Sequence, residues 1–126
     1  MSYNFNGDVT LKLINTITHE VKKSKFIGYY YEVDSTVEVE QILLELKKEH
    51  KKARHLPYAF KIDSIVKKSD DKEPATTAGS PILNIIEMKD LNHILIVIPR
   101  YFGGIKLGAG GLIRAYGKTA NLVTQI

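Results

Sequence analysis

The 126-residue sequence contains no cysteine and no tryptophan. The missing cysteine excludes a disulfide framework, a thiolate zinc site and a cysteine nucleophile together. Long apolar runs are missing as well. The longest strongly apolar stretch, Ile94 to Ile98, is far below the roughly 20 residues that span a bilayer. No apolar targeting segment opens the chain, because Asn4, Asp8, Lys12, Glu20 and Lys22 interrupt its first thirty residues. A cytoplasmic protein without membrane contact is the expectation. Acidic residues are absent from one region only. Residues 1–90 carry 14 basic and 14 acidic side chains, whereas 91–126 carry Arg100, Lys106, Arg114 and Lys118 and no acid. The whole formal charge of +4 therefore belongs to the last 36 residues, an end that attracts anions.

What is present fits one domain, for which roughly 100–150 residues is the usual length. Leu11 and Leu13 alternate with Thr10 and Lys12, which predicts a strand over Val9–Ile17. After the polar turn Lys22–Lys25, the aromatic and β-branched stretch Phe26–Val33 predicts a second strand. Ser35 and Glu38 have capping-box spacing, and Val39, Ile42, Leu43 and Leu46 form one helical face. The basic run Lys47–Arg54 reads as the solvated end of that helix, where cations complement the dipole, with a nucleic-acid contact as the alternative. Tyr58, Phe60 and Ile62 alternate as a third strand, and Lys67–Glu73 reads as a polar loop. Ser80 as N-cap with Pro81 at the first helical position predicts a helix to about Met88. The unbroken run His93–Ile98 predicts a strand buried on both faces and ended by Pro99. A last helical stripe begins after Gly111. This order predicts an α+β fold, a mixed sheet with helices packed on one face.

Six of the nine glycines lie between Gly103 and Gly117. Gly103, Gly104, Gly110 and Gly111 precede the final helix, Arg100 and Lys106 flank the loop, and Arg114 is expected in the helix's first turn. The segment reads in two ways. One is a phosphate-binding concavity at a helix N-terminus, extended by Lys118 and by Tyr101 as a stacking ring. The other is a tight hairpin whose glycines permit packing while its arginines face water. Gly117-Lys118-Thr119 is no P-loop, because position 112, where the motif requires glycine, is leucine. Asp70, Asp71 and Glu73 are too close in sequence to converge on a metal, and the four histidines show no ligand spacing. No cofactor, metal or catalytic residue is assigned.

The segment Arg100–Tyr116, RYFGGIKLGAGGLIRAY, resembles the signature of the Impact/YigZ family. Ser24-Lys25-Phe26-Ile27, Ala53-Arg54-His55 and Glu73-Pro74 with Thr77-Ala78-Gly79 match in order and spacing. The resemblance implies a two-layer sandwich similar to domain 2 of ribosomal protein S5. It makes the loop bearing Asp71, Glu73, Thr77 and Gly79 a family motif. The family usually has Asp-Gly-Glu-Pro-Ser-Gly-Thr-Ala-Gly there, where this chain has Asp71-Lys72-Glu73-Pro74-Ala75-Thr76-Thr77-Ala78-Gly79. Residues 1–126 are expected to be one Impact N-terminal-like domain, without the second, ferredoxin-like domain common in bacterial relatives. The implied role is non-catalytic binding in translation, with RNA, a ribosome or a translation-regulating protein as partner. The alternative is an enzyme acting on a phosphorylated small molecule at the Gly103–Gly111 loop, against which stands the absence of any serine or threonine there to hold magnesium.

Overall fold

The computed structural model describes residues 12–126. Strands β1 (Leu13–Val21) and β2 (Ser24–Glu32) form a hairpin. Its two turn residues, Lys22 and Lys23, both have positive φ (47° and 68°), as a type I′ turn between right-twisted strands requires. Of the first expected strand, Val9–Leu11 lies outside the described residues, and the strand runs on to Val21. Helix α1 (Thr36–Glu49) starts at the expected cap, Ser35, whose Oγ accepts from the Glu38 N–H; Glu38 Oε1 accepts from the Asp34 N–H, one residue before the N–H that a capping box uses.

Strand β3 (Tyr58–Ile62) turns directly into β4 (Ile65–Ser69), so the expected polar loop is half strand. β4 is the edge of the sheet and exposed on both sides, so no burial alternation marks it in sequence. Its Lys67 and Lys68 are the charges with which edge strands resist pairing with other chains. Helix α2 (Gly79–Met88) begins before Ser80. Its N-cap, Ala78, has no capping side chain. The Asp70 carboxylate does that work from the preceding loop, accepting from the N–H groups of Thr76, Ala78 and Gly79 at 2.8–3.2 Å. Burial alone would raise the Asp70 pKa, but these bonds outweigh it and hold the carboxyl below its ordinary value.

Strand β5 (Ile94–Val97) is buried on both faces, as its run predicts. Pro99 interrupts it without ending it: the chain resumes beside β2 as β6 (Arg100–Tyr101), and the Pro99 carbonyl still accepts from the Ile27 N–H. Helix α3 (Gly108–Val123) closes the fold, four residues earlier than its apolar stripe suggests.

The α+β class is as expected. The sheet runs β1-β2-β5-β3-β4, with β6 also on β2, and every pairing among the described residues is antiparallel instead of mixed. Nor do the helices share one face. Ile94, Ile96 and Ile98 pack with Ile82, Ile86, Tyr116 and Ala120 of α2 and α3, while Leu95 and Val97 pack with Val39, Ile42 and Leu46 of α1. A strand with no polar face demands cover on both sides, and α1 supplies the second.

Candidate functional site: the cationic end of the third helix

Arg100 and Tyr101 are consecutive in β6, so their side chains leave opposite faces of the sheet. Arg100 is only 7% exposed. Its Nε and Nη2 donate to the two oxygens of Glu73, Nη2 at 3.0 Å. Tyr116 Oη donates to the same carboxylate from α3, and His55 Nε2 lies 3.6 Å from it. Burial first, then the Glu73 charge, push the Tyr116 phenol far above its ordinary pKa, so it remains a donor. Arg100 is therefore a buried lock between β6 and the loop after β4, not the outward anion contact expected at the loop's flank.

The family-motif loop is built inward in the same way. Asp71 Oδ2 accepts from the Leu56 N–H at 2.6 Å. Thr77 Oγ1 donates to the Pro74 carbonyl at 2.6 Å. Gly79 lies so close to the Ser69 backbone that a Cβ would meet it at 3.0 Å.

Tyr101 turns toward α1. Its hydroxyl is 2.6 Å from His50 Nδ1, His50 Nε2 is 2.7 Å from Tyr29 Oη, and Tyr29 Oη donates to Glu49 at 3.1 Å. One neutral tautomer satisfies the chain: Tyr101 donates to Nδ1, and Nε2–H donates to Tyr29. Burial lowers the His50 pKa, with Glu49 opposing it less strongly. Because the folded pKa lies below the unfolded one, the associated stability is intact above about pH 6.5 and falls as the pH drops below it. The loss of stability between pH 7 and pH 5, measured by urea unfolding, is expected to shrink in His50→Gln. The raised pKa of His93 acts with opposite sign in both proteins and cancels in the comparison. Equal losses in parent and variant would remove His50 as the cause.

The glycines divide between packing and turning. Gly103 is pressed against Lys23, where a Cβ would sit 2.1 Å from the backbone. Gly104 and Gly108 have φ of +93° and +73° with open space around them, so their role is conformational. At Gly110 a Cβ would meet the Arg114 guanidinium at 3.4 Å, and at Gly111 it would meet Leu107 at 3.1 Å.

The remaining cations gather in two places that meet at Leu107. A hollow of about 330 Å³ at the start of α3 is lined by Arg54, Arg100, Phe102, Lys106 and Gly108. Arg54 arrives there because the 54–55 segment is bonded to β6, with the Arg54 N–H on the Arg100 carbonyl at 2.8 Å and the Arg100 N–H on the His55 carbonyl at 2.9 Å. Its guanidinium lies 4.7 Å from the Phe102 ring centroid. A broader depression of about 780 Å³ runs along α3, with Lys22, Arg114, Lys118 and His19 on its wall and, among the described residues, no carboxylate lining it. Arg114 is in the second turn of α3, since the helix starts at Gly108. Burial, and secondarily the charge of Lys118, lower the His19 pKa. The expected common face of Arg100, Lys106 and Arg114 is thus split, with Arg54 and Lys22 added. In the sequence Arg54 belongs to a helix-end charge run and to the Ala53-Arg54-His55 family match, and Lys22 is a turn residue; the Arg54 backbone bonds to Arg100, 46 residues on, and Lys23, beside Lys22, lies against Gly103, 80 residues on.

Among the described residues, no helix is long and apolar enough to cross a membrane. The profile of the family described as the Impact N-terminal domain matches residues 22–124. The chain is 44% identical over 108 residues to the IMPACT family member YvyE of Bacillus subtilis, covering 82% of this chain and 50% of that protein. It is 37% identical over 111 residues to YigZ of Escherichia coli, covering 84% and 54%. The chain thus spans about half the length of these curated relatives. A crystal structure of a hypothetical protein superposes with a TM-score of 0.82 at 35% identity, over 89% of this chain and 59% of that one. The two-domain translational regulator Yih1 gives a TM-score of 0.54 at 25% identity, over 98% and 48%.

Proposed function

Since the chain belongs to the Impact N-terminal domain family, we propose that it is a non-catalytic binding module of translational control that holds single-stranded RNA, free or within a ribosome, along α3. The observation that carries this reading is the depression along α3, where Lys22, Arg114 and Lys118 face one open space with no carboxylate on its wall among the described residues. None of the three forms an ion pair among the described residues, so their charges are available to a ligand. Arg114 and Lys118 are four residues apart on the helix and project together. Gly111 and Gly117 line the depression without side chains, so a sugar–phosphate backbone can lie close to α3 there. The description of Yih1 as a translational regulator supports translational control as the process.

Filter binding of a single-stranded RNA across a salt series tests the reading. Three phosphate contacts predict that log Kobs falls against log salt with a slope of about −2. Lys22→Ala/Arg114→Ala/Lys118→Ala, all at exposed positions, is expected to weaken binding by at least about tenfold and to flatten the slope. Salt-insensitive binding, or none in the parent, would turn the reading toward a protein partner.

A further inference from the structure

Beyond the RNA surface along α3, and resting on that reading only for one source of its ligand, we propose that the hollow beside Phe102 is a separate site for a dianionic phosphate monoester, carried by a phosphorylated RNA end or by a free nucleoside monophosphate. Arg54, Arg100 and Lys106 line this hollow with one carboxylate, Glu73, which leaves a formal charge of +2. Glu73 cannot neutralise the other two cations, because its oxygens are already taken by Arg100 Nε and Nη2 and by the Tyr116 hydroxyl. Arg54 and Lys106 accordingly make no ion pair among the described residues and are exposed at the rim. Arg100 is fixed in the floor, and its Nη1 has no hydrogen-bond partner among the described residues. Gly108 and Ala109 also line the hollow, and α3 has no side chain capping its first N–H groups.

A terminal phosphate suits this set better than a phosphate within a strand. The monoester carries nearly two negative charges at neutral pH and three free oxygens. A diester carries one charge and two oxygens, so it leaves part of the +2 uncompensated. Glu73, Arg100 and Leu112, each more than nine-tenths buried, form the hollow's floor, so it is closed beneath and suits a chain end better than a continuous strand, which would have to enter and leave it. Phe102 is 38% exposed and offers an apolar wall for the sugar or base next to the phosphate.

The test compares one RNA oligonucleotide with hydroxyl ends, with a 5′-phosphate and with a 3′-phosphate by fluorescence anisotropy, and titrates adenosine monophosphate by calorimetry. The proteins are the parent, Arg54→Ala/Lys106→Ala, and the Lys22/Arg114/Lys118 triple alanine variant. One phosphorylated end is expected to bind about tenfold more tightly than the hydroxyl end in the parent, since hydrogen bonds to a charged group are the stronger ones. That preference, and binding of the nucleotide, should vanish in Arg54→Ala/Lys106→Ala and survive in the triple variant. Equal affinity for all three ends together with no nucleotide binding overturns the phosphate site and leaves the RNA surface intact. Nucleotide binding that persists in Arg54→Ala/Lys106→Ala overturns it too. Nucleotide binding by a parent that holds no RNA supports the hollow with a free nucleotide as its ligand, and overturns the RNA reading alone.

Discussion

Replacing Arg100 by alanine is expected to lower the unfolding free energy by about 3–5 kcal/mol, the usual cost of leaving one partner of a buried ion pair uncompensated. Glu73 would keep its charge in a pocket where it is only 5% exposed, with the Tyr116 hydroxyl as its remaining close donor. Glu73→Ala should cost a similar amount, because it strands the guanidinium and the buried phenol together. The double variant should lose much less than the sum of the two, since the second substitution removes the charge that the first left unpaired. An apolar replacement of the whole group, Glu73→Leu/Arg100→Met/Tyr116→Phe, should recover most of the loss, as buried ionic clusters often tolerate hydrophobic substitution of similar volume. Urea unfolding of the five proteins decides the matter. Additive single losses, or an Arg100→Ala effect below about 1 kcal/mol, would mean that the guanidinium finds water and is not a lock.

Gly103→Ala is expected to cost about 3 kcal/mol or more, at the upper end of overpacking effects. A Cβ there would lie 2.1 Å from both the carbonyl carbon and oxygen of Lys23, and backbone atoms cannot rotate aside as a side chain would. Lys23 is itself committed to positive φ in the turn that registers β1 on β2, and the Gly103 N–H donates to Ser24 Oγ at 3.3 Å at the same junction. Relief of the clash must therefore either open the hairpin or lift the loop that carries Lys106. Gly104→Ala and Gly108→Ala provide the contrast. Nothing obstructs a Cβ at either position, so only the positive φ is penalised, by roughly 1–2 kcal/mol. Thermal unfolding should separate them, with Gly103→Ala lowering Tm by roughly 10 °C or more at about 4 °C per kcal/mol. A Gly103→Ala protein as stable as Gly104→Ala would show that the two segments are not pressed together.

Local chemistry was readable directly. The Ser35 cap determines where α1 begins, because the bonds that Glu38 makes with Ser35 and Asp34 join residues only three and four apart. The unbroken Ile94–Ile98 run carried the information that both faces of the sheet are covered, although helices on one face alone would leave Leu95 and Val97 in water. β4 left no such mark. Its side chains are exposed on both sides, and pairing to Tyr58–Ile62 is what makes it a strand. The start of α2 was hidden for a related reason, since its cap is Asp70, nine residues before the first helical residue.

The candidate site divides along the same line. That the C-terminal third is basic and rich in glycine follows from the order of residues alone, and so does the resemblance to a family. Which charges are available to a ligand is decided by contacts between segments far apart in the chain. Arg100 and Arg114 are equivalent in sequence, each an arginine beside the glycine segment. Glu73, 27 residues away, draws one into the interior, and the unobstructed face of α3 leaves the other in water. Charge count is a property of the sequence because it needs no geometry. The availability of a charge depends on which carboxylate and how much water lie within a few ångströms, and only the folded chain sets that distance.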